Sequence, residues 1–334
     1  MRIVHIALLG ILLLLASPAL ADETKAAEVL VVNSYSRDHP WVRAHNDALR
    51  TRLAGRAHLD YCYLDAKLVP PDQVAALAEE AWKRAVELKP DVVVLTDDAA
   101  VKHLGMRLME RGIPVVFLGI NENPRKYLGD MELATGVLER PLFKRSLLFL
   151  QDIMGPSLRH CLILFDDSET SRVIMDTIFH GHRLQRLGHT IAEVRLSNSF
   201  ERWQQAVLAA KDNDNEALFI GLYHTLVDEN GNHVPSEDAL AWVSAHSPVP
   251  VFAYWDFAVG KGKAVGGLVN SGRPQGVAAA DLVIQILDGR APGTLYPVTP
   301  KDGQFLFSRH ELERWHISLP DRLAGVPEPV LFVE

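Results

Sequence analysis

The sequence predicts an α/β protein of two doubly wound parallel-sheet lobes joined by a multi-crossing hinge, on three observations. Short runs rich in Val, Ile and Leu alternate with amphipathic segments of about 12–18 residues, the pattern of a βαβ series. The runs lack the period-two alternation of half-exposed strands, which suits strands covered on both faces. The alternation comes as two consecutive series of about 110 residues each, better accommodated by two similar lobes than by one very wide sheet.

The first series reads EVLVVN, PWVRAHNDALRTRLAG, HLDYCYL, PDQVAALAEEAWKRAVEL, DVVVLT, DAAVKHLGMRLMERG and IPVVFLG, strand and helix in turn. Pro40 suits the first turn of its helix, where a missing N–H needs no partner. The second series reads RHCLILFD, SRVIMDTIFHGHRLQRLG, TIAEVRLS, FERWQQAVLAAK, EALFIGLY, SEDALAWVSAH and VPVFAYW. The join falls near residues 134–143, where a short apolar stretch meets Pro141.

A third block, GKAVGGLVNSGRPQGVAAADLVIQILDGRAPG, supplies one more strand and helix, and the tail VPEPVLFVE is too apolar for a disordered end. Both are expected to return across the hinge. The first lobe then comprises residues 22–138 plus about 257–292, and the second 139–256 plus about 293–334. Several crossings permit opening and closing while restricting twist.

Ahead of this stand Arg2, an apolar run from Ile3 to Leu15 and Ala19-Leu20-Ala21 before Asp22, the pattern of a cleaved secretory signal peptide over residues 1–21. The run is too short to span a membrane, and no Cys stands at the mature start to carry a lipid. Without Arg2 the chain has 33 basic and 42 acidic side chains, a formal charge of −9. No basic block tracks a phosphate backbone, so nucleic acid is not an expected partner.

Cys62 and Cys161 lie in apolar runs and are expected as separate buried thiols. No zinc-type Cys spacing, GxSxG elbow, HExxH pair or phosphate loop occurs, so neither metal, cofactor nor catalysis is indicated. His180 and His182 are spaced by two within a predicted helix, which does not place them on one face.

Ligands of doubly wound sheets bind outside the carboxyl ends of strands. Exits of the first series carry Ser34 and Tyr35, Asp97 and Asp98, and Asn121; those of the second carry Asp167, Ser168 and Glu169, Tyr223 and His224, and Trp255 and Asp256. Helix capping explains about half of these. The concentration of aromatic, acidic and amide side chains in both series indicates a cleft for a small ligand with apolar and polar ends. Trp41 is either a lid over this cleft or packing beneath the first turn.

These exits resemble the type I periplasmic binding proteins, within them the ABC-transporter substrate-binding group that includes tryptophan- and tyrosine-binding members. The resemblance rests on NSY with HPW, IPVVFLGINENP, TGV, LFDDSETS and VPVFAYWDFAVGKGKAVGGLVNSGRPQGVAAADLVIQILDG. It implies two Rossmann-like lobes closing over one ligand, no enzymatic activity, and a monomer delivering its ligand to an ABC permease. NSY with HPW, and the ending FLFSRHELERWHISLPDRL, are also similar to periplasmic sensor modules of histidine kinases, which implies a membrane sensor as the alternative partner.

The Ser168-Glu169-Thr170-Ser171 turn matches one that relatives carry after the first strand of the second lobe, suited to an anion at a helix start. Asp166 and Asp167 just before it depart from a carboxylate-binding arrangement and favour a donor-rich or cationic ligand end. Tyr35, Tyr223 and Trp255 are expected to stack on the ligand, Asp97 to pair an amine or hydroxyl, and Ser168 to hold an acceptor. Amino acid, nucleobase and sugar classes all fit.

Overall fold

The computed structural model describes residues 26–155, 158–300, 303–321, 323 and 330–334. The expected signal peptide lies outside the described residues. The first sheet holds five parallel strands in the order β2-β1-β3-β4-β5: β1 (Ala27–Asn33), β2 (Ala57–Tyr63), β3 (Val92–Thr96), β4 (Val115–Ile120) and β5 (Ala134–Leu138). Their continuous Val-rich runs follow from burial on both faces: Val29 to Val32, Val92 to Leu95 and Val115 to Leu118 are inaccessible. Helices α1 (Pro40–Arg52), α2 (Pro71–Leu88), α3 (Asp97–Glu110) and the short α4 (Arg125–Leu128) cover the sheet. Helix α1 opens on His39, whose Nδ1 accepts from Trp41 N at 3.3 Å, with Pro40 in the first turn.

The second sheet has eight strands in the order β13-β12-β11-β10-β9-β6-β8-β7. Its parallel centre is β6 (His160–Phe165), β8 (Thr190–Leu196), β9 (Ala217–Ile220) and β10 (Val251–Ala253). At its margins lie β7 (Leu184–Leu187), β11 (Gly266–Val269), β12 (Gln304–Ser308) and β13 (Leu331–Val333). Helices α5 (Phe143–Met154), α6 (Glu169–Thr177), α7 (Phe200–Leu208) and α8 (Ser236–His246) belong to this lobe, as does α10 (Arg309–Arg314) after β12.

Two local expectations are corrected. The helix read through residues 171–188 stops at Thr177, because His180 and Gly181 take left-handed φ values of 54° and 73°. Leu184–Leu187 then forms β7, paired antiparallel with β8 through a tight turn at Gly188 (φ 60°). Strand β11, expected with the first lobe, pairs instead with β10 and with antiparallel β12 in the second sheet. Only the helix of that block, α9 (Gly272–Leu287), returns to the first lobe, against α1, β3, β4 and β5. The apolar tail forms β13 on the edge of the second sheet. The chain thus passes to the second lobe after β5, returns after β11, and passes back before β12, with Val298 bridging to Val137 on the way.

Close packing of α9 on α1 requires two glycines. A Cβ on Gly272 would lie 2.7 Å from the Trp41 carbonyl oxygen, and one on Gly276 2.4 Å from that of His45. Both obstacles are backbone and cannot swing aside. Gly276→Ala is therefore expected to lower stability by about 1–3 kcal/mol, read as a lower urea midpoint at unchanged m-value.

Cys62 and Cys161 are both free thiols, the first half-buried in edge strand β2 and the second buried in β6. Among the described residues no helix is long and apolar enough to cross a membrane.

Candidate functional site

The carboxyl ends of both sheets face each other, and the lobes are in contact across them. Tyr35 Oη lies 3.2 Å from Thr170 Oγ1, Trp255 Nε1 donates to Glu139 Oε1 at 2.7 Å, and Lys102 Nζ meets Glu169 Oε1 at 2.7 Å. The His39 and His224 rings approach to 4.5 Å between centroids. Tyr35 and Trp41 from the first lobe share one buried apolar cluster with Phe165, Tyr254 and Trp255 from the second. This is a closed arrangement.

Between the lobes lies a narrow pocket. Its first-lobe wall is Tyr35, His39, Trp41, Lys67 and Asp97, with Glu139 on the crossing after β5; Thr170, Leu222, Trp255 and Phe257 face them. Helix α3 follows β3 without a loop, and Asp97 at the junction adopts a left-handed φ of 58°, an uncommon conformation for which Asp is among the better-suited residues. Gly119 (φ 73°) makes room beside it: a Cβ there would lie 3.1 Å from Asp97 Oδ1.

Several polar atoms on this wall have no hydrogen-bond partner among the described residues. Asp97 Oδ2, Trp41 Nε1 and His39 Nε2 are buried and unpaired. Because His39 Nδ1 accepts from the Trp41 amide and burial keeps the ring neutral, its proton resides on Nε2, a donor without a hydrogen-bond partner among the described residues. Lys67, 8% exposed, places Nζ 4.1 Å above the Tyr35 ring centre and makes no ion pair among the described residues. Burial lowers its pKa, while Asp166, Asp97 and Glu139 pull it back.

Burial, then the neighbouring Glu139, hold the Asp97 carboxyl well above the ordinary carboxylate range. Glu139 is pushed up to about 7 by burial, against hydrogen bonds from Trp255 Nε1 and from Asn121 Nδ2 at 2.9 Å. Asp98, raised by burial to about 6, accepts the Asn121 and Glu122 amides at 3.1 Å each and so fixes the loop after β4. His39 and His224 are both driven well below the usual histidine value by burial, then by Lys67 and His39 respectively.

Of the residues read from strand exits, the pocket brings together Tyr35, Trp41, Asp97 and Trp255. Trp41 forms part of its wall, 3% exposed and edge-on to His45. The others stand behind or beside it. Ser34 Oγ bonds the Thr96 carbonyl and accepts the Ala100 amide at 2.8 Å, tying β1 to the start of α3. Asn121 orients Glu139. Ser168 caps α6 and donates to Asp166, which also accepts from Ser171 Oγ and the His224 and Thr225 amides.

Asp167 points to the surface and pairs with Arg172 at 2.7 Å, and Glu169 lies on the rim with Lys102. Tyr223 stacks behind His224 at 4.4 Å, and Asp256 accepts from Ser271. The pocket residues absent from the sequence reading are His39, Lys67, Glu139, Thr170, Leu222 and Phe257. Thr170, Leu222 and Phe257 each adjoin a residue that was read, so the neighbourhood was legible and the phase was not. Lys67 follows a turn at Asp65 (φ 50°) that folds it back over Tyr35. Among the described residues no group of three or more His, Cys, Asp or Glu side chains could hold a metal.

The family model of the ABC transporter substrate binding proteins matches residues 72–330. No curated protein sequence matches the chain. Three solved structures share its fold, each over 92% of this chain. One is a conserved domain protein from Vibrio cholerae, at 18% identity and TM-score 0.62 over 100% of that chain. The second is an ABC domain from Streptococcus pneumonia in complex with L-Trp, at 15% identity and TM-score 0.65 over 99% of that chain. The third is the ligand-free, open form of a substrate binding protein with adhesive properties from Clostridium difficile, at 12% identity and TM-score 0.65 over 99% of that chain. With two α/β lobes closed over one pocket and a family match running from α2 to the edge of β13, this chain belongs to the ABC transporter substrate-binding proteins, non-catalytic proteins of the type I periplasmic binding fold that hold a small solute between two lobes.

Proposed function

We propose that the pocket between Tyr35, Lys67 and Asp97 on one lobe and Thr170, Trp255 and Phe257 on the other takes a small zwitterionic solute of the amino-acid class. The observation that carries this reading is the separation of Lys67 from Asp97. An amine and a carboxyl line one pocket, both buried, and neither pairs with the other. A buried charge without a partner is costly, and a ligand bearing both an ammonium and a carboxylate relieves both at once.

The remaining valences agree. Trp41 Nε1 and His39 Nε2 add donors for the ligand's oxygens, while Asp97 Oδ2 is the open acceptor for its ammonium. Tyr35, Trp255 and Phe257 supply flat apolar walls, Trp255 and Phe257 being near-parallel at 15°. The L-Trp in the streptococcal relative is a ligand of this class. Closure is driven by contacts that only the closed form makes from both lobes. The protein is exported by its N-terminal signal segment to the periplasm, works as a free monomer, and passes its ligand to an ABC permease.

Thermal-shift screening of the mature chain against amino acids, nucleobases and sugars tests the ligand class. A ligand at 100 times its dissociation constant adds about 2.7 kcal/mol, and amino acids are expected to raise the melting temperature. A rise with neutral sugars and with no amino acid would overturn the zwitterion reading.

A further inference from the structure

Charge at the Asp97 end of the pocket does not balance. Three carboxylates, Asp97, Asp98 and Glu139, gather there, and Lys67 is the only cation lining the pocket among the described residues. The surrounding groups are already engaged. Asp98 holds two backbone amides, Asp166 holds hydroxyls and amides, and Arg140 Nη1 donates to the Ile120, Asn121 and Glu139 carbonyl oxygens. Asp97 Oδ2 has no hydrogen-bond partner among the described residues, and the two Glu139 oxygens receive one neutral donor each. Two buried carboxylates facing one cation, with which neither forms an ion pair among the described residues, cannot both ionise cheaply, because each disfavours the charged form of the other.

We propose that capture is proton-linked: the empty pocket keeps a proton on the Asp97–Glu139 pair, and the ligand's cationic group displaces it. The inference rests on this pocket being the ligand site proposed above. The exchange balances: a carboxylic O–H bond breaks, its electron pair stays on the carboxylate, the proton leaves to solvent, and an ammonium N–H takes its place. One positive charge enters as one leaves.

Both carboxyls are raised, Asp97 well above its ordinary value and Glu139 to about 7, through burial first. Other groups facing them do not supply a competing proton near neutrality. His39 and His224 are held neutral by burial, Tyr35 is pushed upward, and Lys67 stands against Asp97, Glu139 and Asp166. The sign follows from linkage. Below the pair's titration the cation must expel a proton, so affinity rises with pH by up to about tenfold per unit and levels off once the pair is ionised.

The first test needs no ligand. Carboxyl-carbon NMR of the full chain labelled in Glu, with Glu139→Gln assigning the resonance, is expected to give a midpoint near neutrality. A midpoint below about 5, the ordinary Glu range, overturns the proposal. Calorimetry of L-amino acids in phosphate and in Bis-Tris at pH 6 then counts protons. The tightest binder is expected to release up to one proton, and Glu139→Gln and Asp97→Asn to reduce that number. An enthalpy independent of buffer, with tight binding intact, overturns proton linkage while leaving the ligand class standing. If no amino acid binds, the ligand class fails, and the NMR midpoint still decides whether the pair holds a proton.

Discussion

Replacing Asp97 by Asn is expected to weaken ligand binding by about 100-fold or more while making the ligand-free protein more stable at pH 7. Asn is the informative substitution because it tolerates the left-handed backbone at this position as Asp does. The affinity loss follows from leaving a buried ammonium without its carboxylate, about 3–5 kcal/mol. Stability moves the other way. Burial and Glu139 keep the proton on Asp97 in the folded protein, whereas an unfolded-chain Asp releases it near ~3.9. The folded state thus binds this proton more tightly, and stability is lost as pH rises above about 4. Asn removes that loss, so the gain should be present at pH 7 and absent below pH 4. Titration calorimetry and urea denaturation at the two pH values measure both effects; lower stability at pH 7 would contradict the electrostatic account.

Trp255→Ala carries the largest expected loss of stability, about 3–5 kcal/mol, because a nearly inaccessible aromatic is deleted between the lobes. Trp255→Phe separates packing from hydrogen bonding. It keeps most of the ring against Phe165 and Phe257 but removes the Nε1–H that Glu139 Oε1 accepts at 2.7 Å. Leaving that oxygen unpaired costs about 1–3 kcal/mol. Urea midpoints should rank wild type above Phe above Ala. Equal losses for Phe and Ala would mean that the hydrogen bond carries the whole effect.

The two sheets were legible because their central strands are buried on both faces, so Val29–Val32 and Val115–Leu118 show as unbroken apolar runs. What escaped was local or non-local in a way periodicity does not report. Residues 171–188 keep an apolar pattern compatible with a helix, and only the left-handed backbone at His180 and Gly181 breaks it. The strand order that gives β11 to the second sheet is set by its antiparallel pairing with β12, 35 residues on from Val269 to Gln304.

Exit residues pointed to the cleft, yet adjacent side chains at a turn face different ways. Asp166, Ser168 and Ser171 are consumed by one another, whereas Thr170 between them meets Tyr35. Lys67 and Glu139 carry no motif at all. Their importance arises from being brought together by a turn and a crossing, which single charged residues in a sequence do not announce.

The return of α9 to the first lobe bears on the order in which the chain can fold. This helix begins 134 residues after β5 ends, and Ala279, Ala280, Leu282 and Val283 seal the face of the first sheet formed by Val29, Val31, Val94, Val116 and Leu118. Until synthesis reaches residue 287, that face is left to α1, whose Leu49 and Leu53 share it. The lobe made first therefore cannot be completed first, and its contacts are long-range ones that form slowly. The wait is built into the connectivity: one helix near the end of the sequence sets the moment at which the beginning can close.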